Sequence, residues 1–97
     1  MKDLRDASLA DVASKEITLT QEDRVYRFAL AGIGEGRHGI ELVVGPTPVF
    51  RQNESGEFEE VVNCNITRFY VPTTCTFQEG EDALLVYDGD RQIATIR

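Results

Sequence analysis

The chain has 97 residues, a formal net charge of −7 and 41% hydrophobic residues. That is the size of a single domain with one apolar core, and the chain is too apolar to be disordered. No apolar run approaches the roughly 20 residues of a membrane-spanning helix, and the N-terminus lacks the apolar stretch of a signal peptide. The acidic balance argues against nucleic acid as a direct partner, because phosphate binding depends on cations. We expect no membrane contact.

The N-terminal stretch is the only part with helical character. Leu4, Leu9 and Val12 are spaced at three to five positions, and Ser8 with Asp11 forms a weak capping box. Such a short segment is not stable as an isolated helix in water. We therefore predict residues 1–15 to be a short helix or arm, either docked or mobile, and residues 16–97 to be a single β domain.

From residue 16 onward, apolar side chains recur at every second position, which is the period of a β-strand. Tyr26, Phe28 and Leu30 share one side of the second strand pattern, and Asp88-Gly89 separates two later strand patterns as a hairpin turn does. Turn residues recur at short intervals between these patterns. The sequence predicts an all-β fold, a small antiparallel sandwich or barrel of about seven or eight short strands.

The longest strand pattern covers residues 58–71. Extending its alternation from one end to the other places Tyr70 on the dry side and Phe69 on the opposite side. Cys64 also falls on the dry side of this pattern. We expect Cys64 and Cys75 to be reduced thiols, with a bridge between adjacent strands as the alternative.

The sequence GEGRHG at 34–39 matches the spacing of a dinucleotide-binding glycine loop. That loop must lead from a strand into a helix, whose first amides receive the pyrophosphate. Here residues 40–44 alternate as a strand and Pro46 follows. We therefore predict a hairpin connection in which glycines adopt positive φ near the bend.

The sequence gives no catalytic or metal-binding constellation. His38 is the only histidine, so a triad or a histidine-rich metal site would depend on this one residue. The carboxylates that lie close in sequence are expected on the solvated face, away from the apolar pocket that general acid–base catalysis requires. We predict a protein that is not an enzyme and has no cofactor and no metal site.

Two groups of residues are predicted to contact a partner. Arg68 with Phe69 has the arginine and aromatic composition that anchors interfaces, although Phe69 could instead pack on the second face of a barrel. The other group consists of carboxylates in the acidic stretches 54–60 and 79–90, namely Glu57, Glu59, Glu60, Asp88 and Asp90.

The leading hypothesis is a non-catalytic protein-binding or structural module, a subunit or accessory part of a larger assembly such as a viral or phage particle. Its sheet edges or its Arg68-Phe69 patch would meet a protein partner or a second copy of the chain. One alternative is an acidic inhibitor of a basic nucleic-acid-binding protein, and added salt would weaken that binding. Another is a β-barrel that binds a small ligand. We expect the protein in the cytoplasm or within an assembled particle, or secreted if a leader has been removed.

Overall fold

The computed structural model of the chain describes residues 1–7, 15–62 and 66–97. The described part is 62% strand and 3% helical, which confirms the all-β prediction. Its elements are β1 (Lys2–Asp3), a 3-10 turn η1 (Leu4–Asp6), β2 (Lys15–Gln21), β3 (Arg24–Gly36), β4 (Gly39–Val44), β5 (Phe50–Gln52), β6 (Phe58–Glu60), β7 (Arg68–Val71), β8 (Cys75–Glu79), β9 (Leu84–Asp88) and β10 (Arg91–Ile96).

The strands form one antiparallel sheet that curls into a half-barrel. Eight strands follow each other in the order β1-β8-β9-β10-β2-β3-β4-β7. β5 pairs with the first part of β3, beyond the end of β4, and carries β6 on its other side. The register of β3 against β4 shifts between Leu30 and Gly32, and such an irregularity bends a strand. On one edge, the long β3 therefore pairs with β5 near its start and with β4 along its later part.

The core lies on the inner face of this curled sheet, because each strand turns alternate side chains inward. The predicted inward residues Phe28, Leu30, Ile40 and Leu42 are all buried, with exposed fractions of 2% or less. The other buried hydrophobic residues of the described chain are Leu4, Ile17, Leu19, Val49, Phe69, Val71, Cys75, Phe77, Val86, Ala94 and Ile96.

The glycine-rich stretch is a hairpin, as predicted, since Gly36 pairs with Gly39 across a two-residue turn. Of its three glycines, only Gly39 has a positive φ, at 132°. A Cβ on Gly39 would stand 2.4 Å from the carbonyl oxygen of Val71, so the close approach of β7 also requires glycine there. The Asp88-Gly89 hairpin is confirmed as well, with Gly89 at a φ of 64°.

The prediction of one continuous strand over residues 58–71 is wrong. β6 ends at Glu60 and β7 begins at Arg68, while residues 61–62 and 66–67 lie outside strands. Phe58 lies on the outer face against Arg27, and Tyr70 lies on that face too, so the side expected to be dry is the outer one. Phe69 points inward and is 7% exposed. The expected exposure of Phe69 is therefore wrong, and its second interpretation, packing on an inner face, is correct. The predictions for Cys64 and its bridging lie outside the described residues.

Residues 1–7 dock on the β domain. Lys2 and Asp3 pair with Phe77 and Thr76 of β8, and Leu4 is 1% exposed within the core. The predicted short N-terminal arm matches roughly, with a single 3-10 turn at Leu4–Asp6, and residues 8–14 lie outside the described part. This docking supports the first of the two alternatives for the arm.

Arg5 fixes the turn on the sheet. Its guanidinium contacts Asp3 at 2.7 Å and Glu35 of β3 at 3.1 Å. The hydrogen bonds from Arg5 hold the pKa of the Asp3 carboxyl at about 2, well below its ordinary value, and the same carboxyl raises the pKa of Arg5. Both groups are solvent-exposed, so this pair orders the arm more than it stabilises the fold.

Candidate interaction surface

The outer face of the β4–β7 pair carries a compact group of polar and aromatic side chains. Antiparallel register places Tyr70 opposite Glu41 and Arg68 opposite Val43, so these side chains project from the face opposite the core. His38, in the β3–β4 turn, completes the group. We call Glu41, Arg68, Tyr70 and His38 the β7 patch.

Glu41 is the centre of the β7 patch. Its Oε1 lies 3.5 Å from Nε of Arg68 and accepts a long hydrogen bond of 3.4 Å from the Tyr70 hydroxyl. The His38 ring stands edge-on to Tyr70, with 5.5 Å between ring centroids. Arg68 keeps 52% of its side chain exposed while Glu41 keeps 23%. The carboxylate thus positions a guanidinium and a phenol that remain accessible to solvent.

Gly36 of β3 makes room for the Glu41 side chain. A Cβ on Gly36 would lie 2.8 Å from Cγ of Glu41, and one on Gly34 would lie 3.9 Å from its Oε2. A larger residue at position 36 would displace the carboxylate from this place. Within the stretch that resembles a phosphate loop, Gly36 therefore serves the placement of a glutamate.

Phe69 lies on the other side of β7 from the patch. Its ring stacks on Phe28 at 4.7 Å and packs against Tyr26 at 5.0 Å between centroids. Of the predicted pair, the structure therefore keeps Arg68 on the surface and puts Phe69 in the core. Sequence reasoning missed Tyr70 and Glu41 as neighbours of Arg68. The local alternation in RFYV, in which Phe69 and Val71 are the more apolar pair, is the signal that could have placed Tyr70 outward.

The free edge of β7 is covered in part. Among the described strands, β7 pairs with β4 alone, which leaves its second edge without a strand neighbour. The side-chain amide of Gln21 donates a hydrogen bond of 2.7 Å to the Tyr70 carbonyl. A side chain that occupies an edge carbonyl hinders strand addition. The outer face of β7 is therefore a better contact surface than its edge.

The predicted acidic residues lie in two separate places. Glu57, Glu59 and Glu60 belong to the β5–β6 hairpin, whereas Asp88 ends β9 and Asp90 lies in the β9–β10 turn. In the pairing order, β5, β3, β2 and β10 lie between β6 and β9.

The acidic residues also differ in their local partners. Glu59 accepts a hydrogen bond of 2.9 Å from the Asn53 amide, and Asp88 accepts one of 2.8 Å from the Thr74 hydroxyl. These two carboxylates lie on β6 and β9 and bind residues of nearby loops. The fold does not join the two acidic stretches into one continuous surface.

Within the described ranges, no group of three or more histidine, cysteine, aspartate or glutamate side chains is placed to hold a metal ion. The same part of the chain contains no helix that is long and apolar enough to span a membrane. Comparisons with models of protein families, with curated proteins and with solved structures found no match to the chain.

Proposed function

We propose that this chain is a non-catalytic protein-contact module that uses the β7 patch to bind a protein partner or a second copy of itself. It would then act as a subunit or accessory part of a larger assembly. The observation that carries the proposal is the placement of Arg68 and Tyr70 side by side around Glu41 on the outer face. Arginine and tyrosine are among the residue types that contribute most to protein interfaces.

The arrangement of the patch favours binding because its side chains are held before a partner arrives. Ordering a long side chain at an interface costs about 0.5–1.5 kcal/mol. The ion pair at 3.5 Å and the long hydrogen bond at 3.4 Å to Glu41 bias Arg68 and Tyr70 toward these positions, so a part of this cost falls on folding and not on association. A partner would present an acceptor to the exposed guanidinium and an apolar group to the tyrosine ring.

Apolar surface is scarce elsewhere on the described chain. Its exposed large hydrophobic residues are Met1 and Val62. Met1 precedes β1 and Val62 follows β6, on opposite sides of the pairing order. An extended apolar interface is therefore not available on this surface, and we expect a modest, polar contact whose centre is aromatic and cationic.

The test compares association before and after the patch is removed. Sedimentation velocity of the wild type at low and at high salt measures self-association. Affinity capture from lysate of the source cells, with the chain immobilised, detects other partners. We expect the double variant R68A/Y70A to lose the oligomer or the captured protein. The matched control R91A, which removes an exposed arginine on β10, should retain it.

Thermal unfolding of each variant separates loss of the surface from loss of the fold. Equal association by wild type, R68A/Y70A and R91A would contradict the role of the patch. Capture of a basic protein that disappears with added salt, unaffected by R68A/Y70A, would instead support the acidic-inhibitor alternative.

A further inference from the structure

A second polar site lies on the outer face, across β10, β2 and β3. It is a recess of about 320 Å³ lined by two arginines, two threonines and one glutamate, namely Arg27, Arg97, Thr18, Thr95 and Glu16. We call it the β2 recess. Its place in the sheet is distinct from the β7 patch, which belongs to β4 and β7.

Strand register explains why these five side chains meet. Thr95 of β10 lies opposite Thr18 of β2, and Thr18 lies opposite Arg27 of β3, so the three form one row across the sheet. Arg97 and Glu16 exchange two backbone hydrogen bonds of 2.9 and 3.0 Å in the neighbouring row. Side chains two positions apart on a strand project from the same face. Two adjacent rows thus bring their polar side chains to one recess.

Arg27 is held at the wall of the recess by packing. Its guanidinium carbon lies 3.9 Å from the centroid of the Phe58 ring, a stacked arrangement that fixes the plane of the guanidinium. Its Nε is buried and makes no hydrogen bond. The nearest carboxylate oxygen, Oε1 of Glu16, stands 3.5 Å away, beyond the usual range for a hydrogen bond. The guanidinium of Arg27 is therefore held in place while its Nε lacks a hydrogen-bond acceptor.

We propose that the β2 recess binds the phosphate group of a small phosphorylated molecule. Arg27 and Arg97 supply guanidinium donors, and the hydroxyls of Thr18 and Thr95 supply two more. A tetrahedral oxyanion presents enough acceptor oxygens to engage donors on several sides, whereas a carboxylate has only two oxygens. The volume exceeds that of a phosphate ion and matches the small end of ligand pockets, which leaves room for the group that carries the phosphate.

The charge of the whole chain restricts the ligand further. At a net charge of −7, a polyanion such as nucleic acid is repelled by most of the surface, because its binding depends on many cationic contacts. A ligand with a single phosphate interacts only with its local site. We therefore assign the recess to a phosphate monoester of low molecular weight.

Glu16 competes with the ligand for the guanidinium of Arg27. Its side chain is 62% exposed, so it can turn into solvent when an anion enters. Its negative charge nevertheless opposes the anion. The substitution E16Q should therefore tighten phosphate binding, by about threefold for a charge at this range in a solvated site. A site that bound cations would respond in the opposite direction.

The test titrates the full chain with inorganic phosphate and, separately, with glycerol 3-phosphate. Amide chemical shifts are followed at constant ionic strength, with chloride as the compensating ion. We expect shifts at residues 16–18, 27 and 95–97. R27Q and R97Q should each weaken binding by about tenfold, as expected for the loss of hydrogen bonds to a charged group. The matched control R91Q, at the other end of β10, should bind as the wild type does.

Each outcome decides the proposal. Because R27Q also removes the contact with Phe58, R97Q supplies an independent reading at an exposed position. Tighter binding of glycerol 3-phosphate than of inorganic phosphate would support the assignment to an organic monoester, whereas the reverse order would overturn that assignment in favour of free phosphate. Absence of saturable shifts for both anions, or shifts that R97Q and R91Q reduce equally, would overturn the assignment.

Discussion

The β2–β3 and β5–β6 hairpins share an architecture but differ in what supports them. β2 pairs with β3 over seven residue pairs, and Ile17, Leu19, Phe28 and Leu30 are buried between them and the rest of the sheet. β5 pairs with β6 over three residue pairs, and both strands are mostly exposed. The first hairpin depends on burial, and the second depends on local polar contacts.

The difference shows how a small β protein distributes its stability. Burial of apolar side chains contributes about 1.5–3 kcal/mol for each large residue, whereas a typical hydrogen bond contributes about 1 kcal/mol. The β5–β6 hairpin should therefore open well before the sheet unfolds. Hydrogen exchange would show this as faster exchange at residues 50–60 than at residues 17–30.

The largest expected effect on stability is that of F28A in the first hairpin, and F58A in the second hairpin is its comparison. Phe28 is 2% exposed and stacks on Phe69, so F28A should lower the free energy of unfolding by about 3–5 kcal/mol. Phe58 is only half-buried beneath Arg27, so F58A should cost about 1 kcal/mol. Urea denaturation measures both. Equal losses would remove the distinction between the hairpins.

Cys75 offers a chemical probe of the core alone. It is 1% exposed, and burial, aided by the carboxylates of Asp88 and Asp3, raises the pKa of its thiol to about 11. In a C64S variant, at pH 8, a thiol reagent should modify native Cys75 about a hundredfold more slowly than the unfolded chain, because the thiolate is the reactive form. Adding F28A should accelerate the reaction, and adding F58A should leave it unchanged.

The same thiol predicts a dependence of stability on pH. The folded state holds the Cys75 proton more tightly than the unfolded state, whose thiol pKa is about 8.5. The stability that this difference in thiol pKa contributes is therefore fully present below about pH 8.5 and is lost as the pH rises toward 11. Denaturation of the C64S variant between pH 8 and 11 measures the loss, and a C64S/C75A variant should show a smaller one.

Asn53 holds the loop of the β5–β6 hairpin. Its Oδ1 accepts hydrogen bonds from the amides of Ser55 and Glu57 at 2.9 and 3.0 Å, and its Nδ2 donates to Glu59 at 2.9 Å. N53A should lower stability by about 1–2 kcal/mol and speed amide exchange at Ser55 and Glu57. The control S55A removes an exposed hydroxyl from the same loop. An unchanged exchange rate in N53A would show that the loop is held by other contacts.

The smallest expected effect is a gain in stability from a substitution in the turn of the β2–β3 hairpin. Glu22 and Asp23 have φ values of 52° and 64°, the left-handed pair of a type I′ turn. D23G should stabilise the protein by about 0.5 kcal/mol, because glycine adopts this conformation without a steric penalty. D90G, in the β9–β10 turn where the positive φ belongs to Gly89, should give no gain. Thermal unfolding of both variants measures the difference.

The sequence predicts the fold where alternation is uninterrupted. The inward sides of β3 and β4 and the hairpins at Gly39 and Gly89 follow from a two-residue period and from turn chemistry. The prediction fails between Phe58 and Tyr70, because these two half-buried aromatic residues lie on the outer face, against Arg27 and Glu41, and a period of two does not say which face of a strand is inward. The insertion of Leu4 into the core depends on contacts with distant strands, which local periodicity does not encode.

The candidate sites are less predictable than the fold. The residues next to Arg68 in the sequence predict it as a contact residue. Glu41 joins Arg68 only through the pairing of β4 with β7. The β2 recess needs the register of three strands, of which β10 and β2 are far apart in sequence. Cross-strand neighbours of this kind become visible only when the strand order is known.

The position of β10 constrains how the chain acquires its structure. β10 lies between β9 and β2 and pairs Ile96 with Ile17, so the centre of the sheet joins segments from opposite ends of the sequence. Contacts between such distant segments slow folding, because a large loop must close first. During synthesis, β2 and β3 emerge long before this neighbour is available. A nascent chain stopped ahead of Arg91 would expose the open side of β2, and we expect it to aggregate or to recruit a chaperone.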